Sequence, residues 1–127
     1  MSKLQQLLNE RILIIDGAMG SMLQTYRLTE AEFRGARFAD WPSDIQGNNE
    51  VLNLTQPDII RAIYGAYLDA GADVITTNTF NANRFSLGEY GMSDLAYEVN
   101  VAAARLAVEA RENYQAEQPK SDILNPK

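Results

Sequence analysis

The sequence predicts an α/β protein: the first two βα units of a (β/α)8 TIM-type parallel barrel, cut off before completion. Three observations predict it. Arg11 to Gly20 reads RILIIDGAMG and Ala72 to Asn83 reads ADVITTNTFNAN. In each, an apolar β-branched run stops abruptly at groups able to grip a ligand, Asp16 and Gly17 in the first and Thr77, Asn78 and Thr79 in the second. Parallel α/β folds keep their chemistry at such carboxyl ends of strands. An amphipathic helix lies between the two runs, as a crossover connection requires. The chain has 127 residues, whereas a complete eight-stranded barrel takes about 250, so by length alone the expected object is either a small complete α/β domain or the front of a larger one.

Each element has a local cause. Leu4, Leu7 and Leu8 recur at helical spacing behind Ser2 as a cap, giving a short amphipathic helix before the first strand. Ile12 to Ile15 is apolar without alternation, as in a strand buried on both faces. Ala18 to Tyr26 has helical character, and Thr29 to Phe38 opens on Thr29 with Glu32 in capping-box spacing. A long loop through Trp41, Pro42, Gly47, Asn48 and Asn49 follows. Pro57 then suits a first helical turn and Asp58 its positive end; Ile60, Ile63, Tyr64, Tyr67 and Leu68 form one face and Gly71 ends the run. Asp73 to Thr77 is the second strand. The last long helix spans about Ser93 to Tyr114 with Leu95, Val99, Ala102, Ala103, Leu106 and Ala110 inward. The expected organisation is therefore a barrel portion over residues 1–114 and a polar tail over 115–127, in which only Ile123 and Leu124 hint at a third strand.

Composition narrows the function. Hydrophobic residues at 46% and charged residues at 22% mark a globular chain able to bury a core. Eleven basic against seventeen acidic residues give a net charge of −6, with no Lys or Arg stripe to track phosphates, so nucleic acid is not an expected partner. No stretch reaches membrane-span length, and Asn9, Glu10 and Arg11 interrupt the apolar start, which lacks a secretory signal's core; no membrane partner and a cytoplasmic location are expected. Cysteine and histidine are absent, which removes thiolate nucleophiles, imidazole bases and the usual zinc ligands. No catalytic side chain and no metal ligand is assigned within the chain.

The candidate site residues carry plain structural readings too. Asp16 is either a cap for the next helix, with Gly17 easing the turn, or a ligand-binding carboxylate, and local sequence leaves the two evenly balanced. Thr76, Thr77 and Thr79 are natural strand residues and Asn78 a turn residue; Asn48 and Asn49 suit a loop or cap; Met19 and Met22 suit core packing better than soft-metal ligation. The coincidence of two polar clusters on the same end of adjacent strands favours a site.

The segments ILIIDGAMGSMLQTYRLTEAEFRG, FADWP and GNNEVLNLTQPDIIRAIYGAYLDAGADVITTNTFNAN resemble the amino-terminal homocysteine-binding barrel of cobalamin-dependent methionine synthases, from about Leu4 to about Tyr114. Betaine and S-methylmethionine homocysteine methyltransferases share the DG turn and the second strand but match the FADWP and GNN loop less closely. Two positions depart from the pattern: Thr76 stands where relatives often have Glu, and Ser21 where they often have Thr.

The resemblance implies a methyltransferase of methionine biosynthesis. In that family a zinc ion held by three cysteines on late strands lowers the pKa of the homocysteine thiol, methylcobalamin on another domain donates the methyl group, and methyltetrahydrofolate on a further domain recharges it. It implies that Asp16 and Gly17 hold the amino-acid end of homocysteine and that Thr77, Asn78, Thr79 and Phe80 line the mouth. Zinc and cobalamin would belong to the complete enzyme, with none expected bound to this chain alone, and the missing strands, cobalamin and folate domains would be its partners. Alone, the chain is expected to be inactive. The alternatives are a non-catalytic interaction or complementation fragment, or part of a cobalamin-independent homocysteine S-methyltransferase.

Overall fold

A computed structural model describes residues 1–118. Seven α-helices follow in chain order: α1 Lys3–Glu10, α2 Met19–Tyr26, α3 Glu30–Arg34, α4 Leu52–Thr55, α5 Pro57–Asp69, α6 Arg84–Gly88 and α7 Ala96–Glu117. Short 3-10 turns at Asn49–Val51 and Ser93–Leu95 lead into α4 and α7. Helix α7 runs through residue 114, and Ile123 and Leu124, read as a hint of a third strand, lie outside the described residues.

The helix ends follow local chemistry. Ser2 Oγ accepts from the Gln5 amide at 3.2 Å and starts α1. The capping box at α3 is closed: Thr29 N donates to Glu32 Oε2 at 2.7 Å and Glu32 N to Thr29 Oγ1 at 3.3 Å. Pro57 opens α5, and its other end is a Schellman turn, in which Ala72 N donates to Tyr67 O and Gly71 N to Leu68 O, both at 3.0 Å. Gly71 has φ +105°, a conformation that favours glycine. Two short helices escaped the sequence reading: α4, and α6, which Asn83 caps by accepting from the Ser86 amide at 2.9 Å.

The core is helical. Ile60, Ile63 and Tyr64 of α5 and Val99, Ala103, Leu106 and Ala110 of α7 are buried, as the 3.6-residue periodicity requires. Leu52, Val51, Ile45, Phe38, Phe33 and Leu23 extend the cluster under the long loop. Met19 and Met22 pack against it, which is the core role expected of them. Arg34 gathers the loop by donating to the carbonyls of Ala39, Trp41 and Ser43 at 3.3, 2.7 and 3.1 Å. Trp41 meets Phe38 edge to face, ring centroids 5.3 Å apart, and its indole N–H donates to Tyr90 O at 2.7 Å.

The expected barrel fragment is not what the described residues form. They are mainly helical, and the two runs expected to be paired strands share a single parallel bridge, Ile15 with Val74, and no sheet. Asp16 N donates to Val74 O at 2.8 Å and Val74 N to Ile14 O at 3.2 Å. The next amide in either direction goes to a side chain instead. Ile14 N donates to Asp73 Oδ2 at 2.9 Å, and Thr76 N to Asp16 Oδ2 at 3.1 Å. Two carboxylates thus occupy the donors that would have lengthened the ladder. Nor is the first run buried on both faces, since Ile12 is 88%, Ile14 59% and Ile15 61% exposed.

Candidate functional site

The bridge brings the two polar segments together. Asp16 follows the first extended run and Thr76 the second, and the Asp16 carboxylate joins them, taking the Thr76 amide on Oδ2 and the Thr76 hydroxyl on Oδ1 at 3.0 Å. Asp16 does not cap α2: the N-cap is Ala18, and no side chain bonds the first-turn amides. The helix therefore begins with bare N–H groups beside a carboxylate.

A cleft of about 580 Å³ opens here. One wall is the turn from Asp16 to Gly20 at the start of α2; the other is Thr76 to Asn81; Asn49 and Glu50 close the side. All six of the residues singled out from the sequence, Asp16, Gly17, Thr77, Asn78, Thr79 and Phe80, line it. They are not equivalent. Thr77 and Thr79 share a hydroxyl–hydroxyl hydrogen bond of 2.8 Å. Phe80 stands 92% exposed on the rim, an apolar ring in water. Gly17 is fixed by packing: a Cβ there would lie 3.0 Å from the Tyr67 hydroxyl, which itself donates to Ala18 O at 3.0 Å. Tyr67 of α5 thereby holds the DG turn from behind.

Asn78 belongs to the floor. It is buried, and its side-chain amide donates to Asn49 O at 2.9 Å and Asn53 Oδ1 at 3.1 Å, while Asn53 returns a bond to Asn78 O at 2.9 Å. Below it Tyr64 is fully buried, and burial pushes its phenol up to about 12, the Asn78 backbone opposing the shift and the negative Asp16 adding to it. The Tyr64 hydroxyl approaches the Asn78 backbone without closing a hydrogen bond.

Sequence reasoning weighed Thr76 but kept it as a strand residue, and it passed over Asn53 and Glu50. Thr76 looked like an ordinary strand residue, and its carboxylate partner is distant in sequence. Glu50 is only 5% exposed although charged, and it closes the GNNE segment whose asparagines were read as loop and cap residues. Asn48 is such a cap, its Oδ1 accepting from Val51 N at 3.3 Å. Among the described residues no group of three or more His, Cys, Asp or Glu side chains converges to hold a metal ion, and no helix is long and apolar enough to cross a membrane. The cleft thus carries two carboxylates, Asp16 at its edge and the buried Glu50 at its side, with free backbone N–H groups beside Asp16. Within this setting, the sequence model of the homocysteine S-methyltransferase family matches residues 13–124, a span holding both walls of the cleft and the helices behind them, and the chain belongs to that family of homocysteine-methylating transferases.

Proposed function

We propose that the cleft between Asp16–Gly20 and Thr76–Asn81 binds the amino-acid end of homocysteine, and that the chain is the homocysteine-binding portion of a cobalamin-dependent methionine synthase. One observation carries the first part: a carboxylate and an uncapped helix start line the same cleft. An amino acid offers the complementary pair, an ammonium for Asp16 and a carboxylate for the first-turn amides of α2. Asp16 retains acceptor capacity beyond the two bonds from Thr76, since an ionised carboxylate has about four lone-pair sites. Thr77, Thr79 and Phe80 would then flank the rest of the substrate. The second part rests on the DGAMG, GNN and TNTF segments and their order.

The chain's contribution in this reading is to bind and orient. It has no cysteine or histidine, and its described carboxylates do not converge, so its residues do not fit a zinc centre. The thiol-activating zinc, the methylcobalamin donor and the folate-dependent recharging belong, in this proposal, to parts of the protein beyond these residues.

Asp16→Asn tests the substrate assignment. Asparagine still offers an oxygen to the Thr76 amide and an N–H to the Thr76 hydroxyl, so the turn should hold and the melting temperature should stay near that of the wild type. Homocysteine binding should weaken by about 2 kcal/mol as a charge-assisted bond is lost. Calorimetric titration of both proteins decides it; unchanged affinity in a well-folded variant removes Asp16 from the site.

A further inference from the structure

We propose that Glu50 is a positioning residue of the cleft, holding the Thr77–Asn81 wall by its backbone without meeting the ligand. Its ligand is taken from the homocysteine reading above; its geometry stands independently. Glu50 sits in the 3-10 turn Asn49–Val51, borders the cleft and is yet only 5% exposed. A charge withdrawn from water to that degree is costly unless a specific donor meets it. The donor is the Asn81 amide, 3.1 Å from Oε1.

Asn49 of the same turn and Asn53 of α4, which follows it, act on the same wall. Asn49 O accepts from Asn78, and Asn53, three residues beyond Glu50, exchanges hydrogen bonds with Asn78. The wall is otherwise closed by short turn bonds of its own, Thr79 N to Thr77 O at 3.0 Å and Ala82 N to Thr79 O at 3.1 Å. Between Thr77 and Asn81 it is therefore fastened at two points, Asn78 and Asn81, with Glu50 the second, while on either side Thr76 is bonded to Asp16 and Ala82 O accepts from Asn100 Nδ2 at 2.7 Å. Thr79 and Phe80 hang between Asn78 and Asn81. Without the carboxylate the Asn81 amide loses its acceptor, and Thr79 and Phe80, held then only from Asn78 and from Ala82, lose their fixed position.

Two variants of the full chain separate this from the neighbouring possibilities. Glu50→Gln keeps an oxygen for the Asn81 amide and discards the charge; Glu50→Ala discards both. Homocysteine titration and amide hydrogen exchange are measured on each. In Glu50→Ala, exchange should speed up across residues 77–81 while α5 and α7 keep their protection, and homocysteine affinity should fall about tenfold. Glu50→Gln should restore both. If Glu50→Gln binds as poorly as Glu50→Ala while its wall stays protected, the carboxylate meets the ligand directly and the proposal fails. It also fails if exchange at 77–81 is unmoved in Glu50→Ala, or if α5 and α7 loosen equally. A wild-type chain that ignores homocysteine would refute the substrate reading, and the exchange results would still decide whether Glu50 holds the wall.

Discussion

Tyr64 sits beneath the cleft with its ring in the core and a hydroxyl that, among the described residues, is the one buried side-chain polar atom without a hydrogen-bond partner. An unpaired buried hydroxyl costs stability, so Tyr64→Phe should be neutral or stabilising by up to about 1 kcal/mol in chemical denaturation. A clear loss of stability would mean that the hydroxyl is bonded in solution. Nothing in the sequence distinguishes Tyr64 from Ile60 and Ile63, because all three satisfy the same helical period. Asn78 has the opposite history. It was singled out from the sequence and lines the cleft, but its place in the floor depends on Asn53, 25 positions away, and no local rule pairs them.

At the scale of elements, the contact between the two extended segments depends more on side chains than on a ladder. Arg11 and Asp73 form an ion pair of 2.5 Å, and Asp73 also accepts from the Ile14 amide. The Arg11 hydrogen bond first, then the Ile14 amide, hold the Asp73 carboxyl at about 2, below its ordinary 3.8. The folded value lies below the unfolded one, so the ionised carboxylate contributes stability above about pH 4, and that contribution disappears as the pH falls toward 2. Both partners are partly solvated, which keeps the effect modest. Denaturation midpoints measured between pH 5 and pH 2 should fall more steeply for the wild type than for Asp73→Asn. Parallel slopes would show that the pair is not formed in solution. The helices α5 and α7 were legible because each carries its own periodic stripe; α4 and α6 were not, because four or five residues are too few to show a period.

Over the whole molecule, the described residues pack one helical core and leave large apolar side chains outside it, those of α1 and of the Ile12–Ile15 run next to each other in the chain. Ile12, Ile14 and Ile15 are mostly exposed along an extended backbone whose ladder stops after one bridge. Such an edge recruits other chains. The protein should therefore self-associate with rising concentration, and Ile12→Lys with Ile14→Lys should shift it toward monomer without lowering its melting temperature. Sedimentation velocity over a concentration series is the check. A wild-type monomer at every concentration would show that this edge is covered in solution.

What the sequence determined by itself was local and periodic. The α5 and α7 faces, the Thr29–Glu32 capping box, the Gly71 turn and the two polar segments that meet at the cleft all follow from spacing within a few residues. The order of those segments was also enough to suggest the family. The tertiary structure decided the rest, because the deciding interactions join distant positions. Whether two β-branched runs become a sheet depends on where their amides find acceptors, and here Asp73 and Asp16 take them. Whether Asp16 caps a helix depends on Thr76, sixty residues on, which holds its carboxylate away from the α2 amides. Glu50 gives the same lesson in reverse: a charged loop residue in the sequence, it is buried because a backbone amide thirty-one residues later comes to meet it.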